Sequence, residues 1–248
     1  MSSFNLNKVS TRAAKGFNKE KIKAKTVAML ETLSELQNLL FAEAKHSVLV
    51  VIQGMDASGK DGLIRNIFGK LNPQGVQVKS FKAPTPEELS HDFLWRIHQH
   101  TPAKGMIQLF NRSHYEDILV TRVHKWCDDQ LATERMKAIN DFESMLVNHN
   151  NTHILKFYLH VSPEEQNKRL NERIKEPGKQ WKYNEKDFEE AKLWKDYMKA
   201  YEDCFTHCNK VPWTIVPSDQ NWYKEYIVAD QLLQLLKGLN MHYPGLKK

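Results

Sequence analysis

The chain has 248 residues, 41% of them hydrophobic, enough for one substantial core without a second domain. No apolar run approaches the roughly 18 residues of a membrane span, and the N-terminus lacks the apolar stretch of a secretory signal, so the expected location is the cytoplasm. A net charge of +6 points to an anionic partner and leaves nucleic acid, anionic lipid and inorganic polyanion open. The three cysteines, Cys127, Cys204 and Cys208, are odd in number and too few for a disulfide framework. Cys204, His207 and Cys208 match no closed zinc spacing and read as a helix end.

Residues 1–25 set Lys8, Arg12, Lys15, Lys19, Lys21, Lys23 and Lys25 against Glu20 alone. They read as a basic N-terminal arm, either gathering polyanions or simply solvated. Residues 26–45 carry Val27, Leu30, Leu33, Leu36, Leu40 and Phe41 at helical intervals and predict an amphipathic helix. The apolar run Val48–Gln53 then feeds into Gly54-Met-Asp-Ala-Ser-Gly-Lys-Asp-Gly62. The spacing Gly54-x4-Gly59-Lys60 is that of a phosphate-binding loop, except that Asp61 stands where Ser or Thr normally helps hold a metal. The glycines allow the backbone amides to wrap an anion at a helix start. With Asp56 inside the loop and Asp61 after it, carboxylates are expected to take over the metal duty. The plainer alternative is a tight strand-to-helix turn with an exposed lysine.

A helix from Lys60 to about Leu71 is predicted to stop at Asn72-Pro-Gln-Gly75, and Val76–Phe81 to form a second strand. Residues 82–98 read as a proline-stiffened loop followed by a helix carrying His91 and Arg96 on its polar face, in a position that commonly frames the acceptor in nucleotide kinases, although a surface helix would use the same residue types. The run Met106–Phe110 is the third strand and delivers Asn111-Arg-Ser-His-Tyr-Glu-Asp117. Asn111 occupies the place of the acid that usually completes the metal site, which makes Glu116 and Asp117 the candidates and Arg112 a phosphate clamp. A helix is expected over 129–149 and a fourth strand over 152–161. Ser162-Pro163 with Glu165 forms a helix start with a capping box, from which Arg169 and Arg173 share a face. The cationic, aromatic run 174–183 has the composition of a lid or of a basic surface loop. A helix over 187–207, a fifth strand over 212–216 and a last helix over 222–240 complete the chain.

Strands alternating with helices predict an α/β fold, a three-layer α/β/α sandwich on a five-stranded parallel sheet. Its ligands belong at the carboxyl edge of the strands. The expected fold is a P-loop kinase fold of the thymidylate-kinase-like type, one domain over 26–248 with a helical lid inserted at about 170–186.

Three motifs in order, Gly54 to Gly62, Phe110 to Asp117 and the cations from Arg169 to Lys182, resemble the polyphosphate kinase 2 family over about residues 26–243. The Ser113-His-Tyr-Glu-Asp117 version looks like the branch that accepts both nucleoside mono- and diphosphates. The resemblance implies reversible, Mg²⁺-dependent transfer of the terminal phosphoryl group of inorganic polyphosphate to AMP and ADP, and to GMP and GDP, with Mn²⁺ able to substitute. It also implies a homodimer or homotetramer with no nucleic-acid or membrane partner. Asp56, Lys60, Arg112 and Glu116 are then the expected catalytic residues. Gly54, Ala57, Ser58, Gly59, Lys60, Asp61, Gly62, Arg65, Arg169, Arg173 and Lys182 are expected on polyphosphate. Arg96, Asn111, Arg112, His114, Glu116 and Asp117 are expected on the nucleotide, and Asp56 with Glu116 on the metal, Asp61 and Asp117 being the alternative acids. Gln220 stands where relatives often have lysine. The rival readings are an ATP-dependent nucleoside monophosphate kinase, which shares loop, lid and fold, and a polyanion- or nucleic-acid-binding module without catalysis.

Overall fold

The apolar run before the glycine turn is the middle strand of the sheet. In a computed structural model that describes residues 4–246, β1 (Ser47–Gln53) is buried along its whole length. It lies between β3 (Ile107–Asn111) and β4 (Thr152–His160), with β2 (Val76–Ser80) and β5 (Trp213–Pro217) at the edges. Every pairing is parallel. The helices in chain order are α1 (Lys19–Glu43), α2 (Lys60–Ile67), α3 (Pro86–Leu89), α4 (Trp95–His98), α5 (Val120–Val123), α6 (Asp129–Asn150), α7 (Pro163–Lys175), α8 (Lys186–Lys192), α9 (Trp194–His207) and α10 (Asn221–Gly238).

A strand presents alternate residues to opposite faces, and β1 is apolar on both because helices cover both. Val48, Val50 and Ile52 meet Leu33 and Leu40 of α1, Leu63 of α2 and Leu232 of α10. Leu49 and Val51 face the second core, with Ile139 and Phe142 of α6 and Tyr201 and Phe205 of α9. This is the three-layer sandwich expected from the alternation of strands and helices. No helix among the described residues is long and apolar enough to cross a membrane.

The second core contains charge. The Lys156 ammonium of β4 donates to Glu143 Oε2 at 2.8 Å, the Tyr115 hydroxyl at 2.7 Å and the Cys208 carbonyl at 3.0 Å. Tyr115 in turn donates to Glu143 Oε1 at 2.6 Å. A fully buried ion pair is tolerated only when its remaining donors and acceptors are matched in this way. Its consequence is positional: it ties the 3-10 turn His114–Asp117, which follows β3, to α6 and β4.

Three local expectations are corrected. The boundary placed at residue 25 falls inside a helix, because α1 starts at Lys19, where Asn18 caps the Lys21 amide. The described part of the basic arm is packed: Leu6 is buried, its amide donates to Glu202 Oε1 at 2.7 Å, and Thr11 and Ala13 bond to Asp219 and Gln220. Residues 1–3 of that arm and residues 247–248 of the expected domain lie outside the described residues. Gln220 therefore anchors the N-terminal segment, which accounts for a neutral side chain there. Ser162 does cap the Glu165 amide of α7, but the Glu165 carboxylate turns to Arg169, so the expected capping box is half made. A complete box occurs instead at Thr85 and Glu88 of α3.

Candidate active site at the carboxyl edge of the sheet

Four strand ends contribute, β1 through the loop 54–59, β3 through Asn111–Asp117, β4 through α7 and β5 through Ser218–Gln220. The loop bends as its glycines require. Gly54 has φ +151°, and a Cβ there would clash with the Leu159 carbonyl; Gly59 has φ +97° and faces Lys224. Arg112, the first residue after β3, also has positive φ, 62°. That is an uncommon conformation for a branched cation and one that recurs at functional sites. It turns the guanidinium back over the loop.

Arg112 bridges two acids. Its Nη2 bonds to Asp56, and its Nη1 is 3.3 Å from Glu116 Oε2. Glu116 first, then Asp56, raise the guanidinium pKa further above its ordinary value. Asp56, Arg112 and Glu116 line a narrow cavity with Glu190, Tyr197 and Tyr201 from α8 and α9. The water-accessible space in it is about 20 Å³, room for one water molecule. Arg112 thus occupies the space between the Asp56 and Glu116 carboxylates. Tyr197 donates to Glu190 Oε2 at 2.6 Å, and His124 Nε2 lies 3.0 Å from Glu190 Oε1.

Lys60 opens α2 and folds back onto its own loop, donating to the carbonyls of Gly54 at 2.7 Å and Met55 at 3.1 Å. Burial above all, and then Arg112, depress its pKa to about 8, against the pull of Asp56 and Glu116. Asp61 points outward to Lys182 at 2.9 Å and Asn111 Nδ2 at 3.0 Å. Burial raises its pKa, but these two partners outweigh burial and hold it below the ordinary range. Arg173 pairs with Asp187 of α8. The segment from α7 through the 3-10 turn Pro177–Lys182 into α8 thus reaches back over the loop as a helical lid.

Several expected site residues stand elsewhere. His114 is fully buried, 3.3 Å from Glu143 Oε1 and packed on Phe142, so it belongs to the core and not to a nucleotide. It opens the 3-10 turn that follows β3, and that turn carries its side chain inward. Arg96 is buried beneath Phe81, donates to the Lys82 carbonyl at 2.9 Å and pairs with Asp117 at 3.6 Å. Neither Arg96 nor Asp117 lines the cavity, and Asp117 is turned from it by that pairing. Arg65 is exposed on α2 and bonds to Asn66. Arg169 makes five hydrogen bonds, to Glu165 and to the carbonyls of Ala57, Ser58, Ser218 and Asp219. A guanidinium has five N–H donors, so none is left for a lid contact to phosphate. Lys224, Gln166 and Glu190 were not expected. Lys224 and Gln166 carry a sequence signal: each is a polar residue four positions before a buried valine or leucine, Val228 and Leu170.

A glycine loop with an invading lysine, paired acids and a cationic lid, all at the carboxyl edge of a parallel sheet, define a P-loop phosphotransferase. The profile of the family "Polyphosphate kinase 2 (PPK2)" matches residues 16–244, and the chain belongs to that family. It is 48% identical over 214 residues to an AMP/ADP-polyphosphate phosphotransferase of Meiothermus ruber, covering 86% of this chain and 80% of that one. To an ADP-polyphosphate phosphotransferase of Rhodopseudomonas palustris it is 44% identical over 232 residues, 87% of this chain and 79% of the relative. The crystal structure of a polyphosphate kinase 2 from Arthrobacter aurescens TC1 superposes with a TM-score of 0.95 at 42% identity, over all of this chain and 90% of that one.

Proposed function

We propose that this chain moves the terminal phosphoryl group of inorganic polyphosphate onto AMP and ADP, and onto the guanine nucleotides, reversibly. The observation that carries this reading is the Asp56–Arg112–Glu116 bridge at the mouth of a phosphate loop that has Asp61 in place of the usual hydroxyl. Polyphosphate enters beneath the lid, with its end on the loop amides and Lys60. The nucleotide phosphate approaches from the cavity side, where Arg112 leaves its carboxylates to hold it. An oxygen of the nucleotide phosphate attacks the terminal phosphorus, and the anhydride bond to the rest of the chain breaks. One phosphoanhydride replaces another, so no side chain need form a covalent bond, and positioning and charge neutralisation do the work.

The donors present fit a divalent cation. Asp56 and Glu116 are hard oxygen ligands already drawn together around a positive charge, and Mg²⁺ is commonly held by one or two carboxylates together with phosphates and water. Among the described residues no group of three or more His, Cys, Asp or Glu is placed to hold a metal ion. When bound, Mg²⁺ or Mn²⁺ would neutralise phosphate charge. The chain's own contribution is to place Arg112, Lys60 and Lys182 around the moving group while α7 and α8 exclude water. Two or four copies per assembly complete this reading.

The test is AMP with polyphosphate and no ATP. ADP and then ATP should accumulate as the polymer shortens. If no ADP forms at any chain length while ATP with AMP yields ADP, the monophosphate-kinase alternative stands instead. A pH dependence follows from Lys60. The free enzyme loses this charge as pH rises through about 8, so kcat/KM for polyphosphate should be highest below that point and fall between pH 7 and 9.5. Under saturation the bound phosphates hold the proton on Lys60, so kcat should decline later. Initial rates at limiting and saturating polymer check this, and a kcat/KM level across the range would contradict it.

A further inference from the structure

Every carbonyl of the loop from Gly54 to Gly59 accepts a hydrogen bond from a side chain. Lys60 takes Gly54 and Met55. Gln166 Nε2 donates to the Asp56 carbonyl at 3.0 Å. Arg169 Nη1 donates to Ala57 at 3.1 Å and Ser58 at 3.0 Å. Lys224 donates to Ser58 at 3.3 Å and Gly59 at 3.2 Å, with Asn221 Oδ1 at 3.0 Å as its third acceptor. In a planar trans peptide the N–H of the next residue points opposite to the C=O, so holding the Asp56 carbonyl with Gln166 and the Ser58 carbonyl with Arg169 and Lys224 aims the amides of Ala57 and Gly59 the other way. The amides of Asp56, Ala57 and Gly59 have no acceptor among the described residues.

The holders differ in kind. Lys60 is on the ligand side and is free to exchange its carbonyls for phosphate oxygens. Gln166 of α7 and Lys224 of α10 are 2% and 1% exposed. Burial, then the charges of Arg169 and Lys60, lower the Lys224 pKa to about 7. The Ser58 and Gly59 carbonyls and Asn221 Oδ1 are the acceptors that face this buried nitrogen. Its crowding against Gly59 also explains why that position has no side chain.

We propose that Gln166, Arg169 and Lys224 are positioning residues that hold the loop in its amide-inward form before polyphosphate arrives, acting through the backbone and not by contact with phosphate. This rests on the reading that the loop takes the polyphosphate end. The test uses the full chain with Lys224→Met and Gln166→Leu, which keep side-chain bulk and remove the donors. In both, hydrogen exchange of the Ser58 amide, which bonds to the Met55 carbonyl at 3.1 Å, should quicken about tenfold in the ligand-free enzyme while β1 and β4 exchange as before, the scale of one or two lost hydrogen bonds. KM for polyphosphate should rise about tenfold, with KM for AMP within about twofold. Loop exchange and KM for polyphosphate unchanged in both folded variants would overturn the inference, as would a general rise in exchange with both KM values moving together. If Lys224→Met does not fold, Gln166→Leu decides by the same readouts. A wild-type protein without polyphosphate-dependent turnover removes the functional reading and leaves loop exchange to decide this one.

Discussion

Asp56→Asn should lower kcat by about 10²–10³-fold, the range seen when one preorganised electrostatic contact to the reacting group is removed, while the protein melts within a few degrees of the wild type. The side chain is not part of either core, so the substitution leaves packing alone. What it removes is charge: the hold on Arg112, and one of the three carboxylates that line the cavity, Asp56, Glu116 and Glu190. Asparagine keeps the shape and can still accept a hydrogen bond from the guanidinium, so the loss should appear in turnover more than in nucleotide KM. Steady-state rates with AMP and polyphosphate, alongside a thermal melt, make the measurement. Turnover within tenfold of the wild type would show that the acids assigned to the cation are the wrong ones.

Lys60→Ala should be the more damaging, with kcat/KM for polyphosphate down by about 10³-fold or more, because it deletes the one ammonium that the loop itself carries to the phosphates. Binding of polyphosphate to the protein should survive, since Arg112, Arg173, Lys182 and the surface lysines remain. This separates an enzyme from a polyanion-binding module: a module keeps its only property, whereas a phosphotransferase keeps affinity and loses chemistry. Fluorescence anisotropy of labelled polyphosphate together with the coupled assay reads both. Turnover within tenfold of the wild type would remove Lys60 from the chemistry.

The fold was legible because its signals are local. An apolar run, a glycine-bounded turn and a lysine at fixed spacing announce β1, the loop and α2, and Ser162-Pro163 announces α7. The acids and Arg112 were legible as a cluster because β3 delivers them together. What stayed hidden depends on contacts between residues more than 100 positions apart: Gln166 on Asp56, Arg169 on Ala57, Lys224 on Ser58. Periodicity marks a polar residue on a buried face but not the carbonyl it will meet. His114 was misjudged for a related reason. It sits in a motif whose neighbours serve the site, yet the turn that aims Glu116 at the cavity aims His114 at Glu143. The N-terminal segment misled by composition, since its lysines are solvated while Leu6 and Thr11 do the anchoring.

The carboxylate partners of Arg112, Arg173 and Lys182 bear on how a product gets out. Each of these cations has an acid close at hand, Asp56 and Glu116, Asp187, and Asp61 respectively. A departing nucleotide or shortened polymer therefore leaves no stranded charge behind, because the old partner steps back in as the anion withdraws. On the proposed reading, exit and entry are the same swap run in opposite senses.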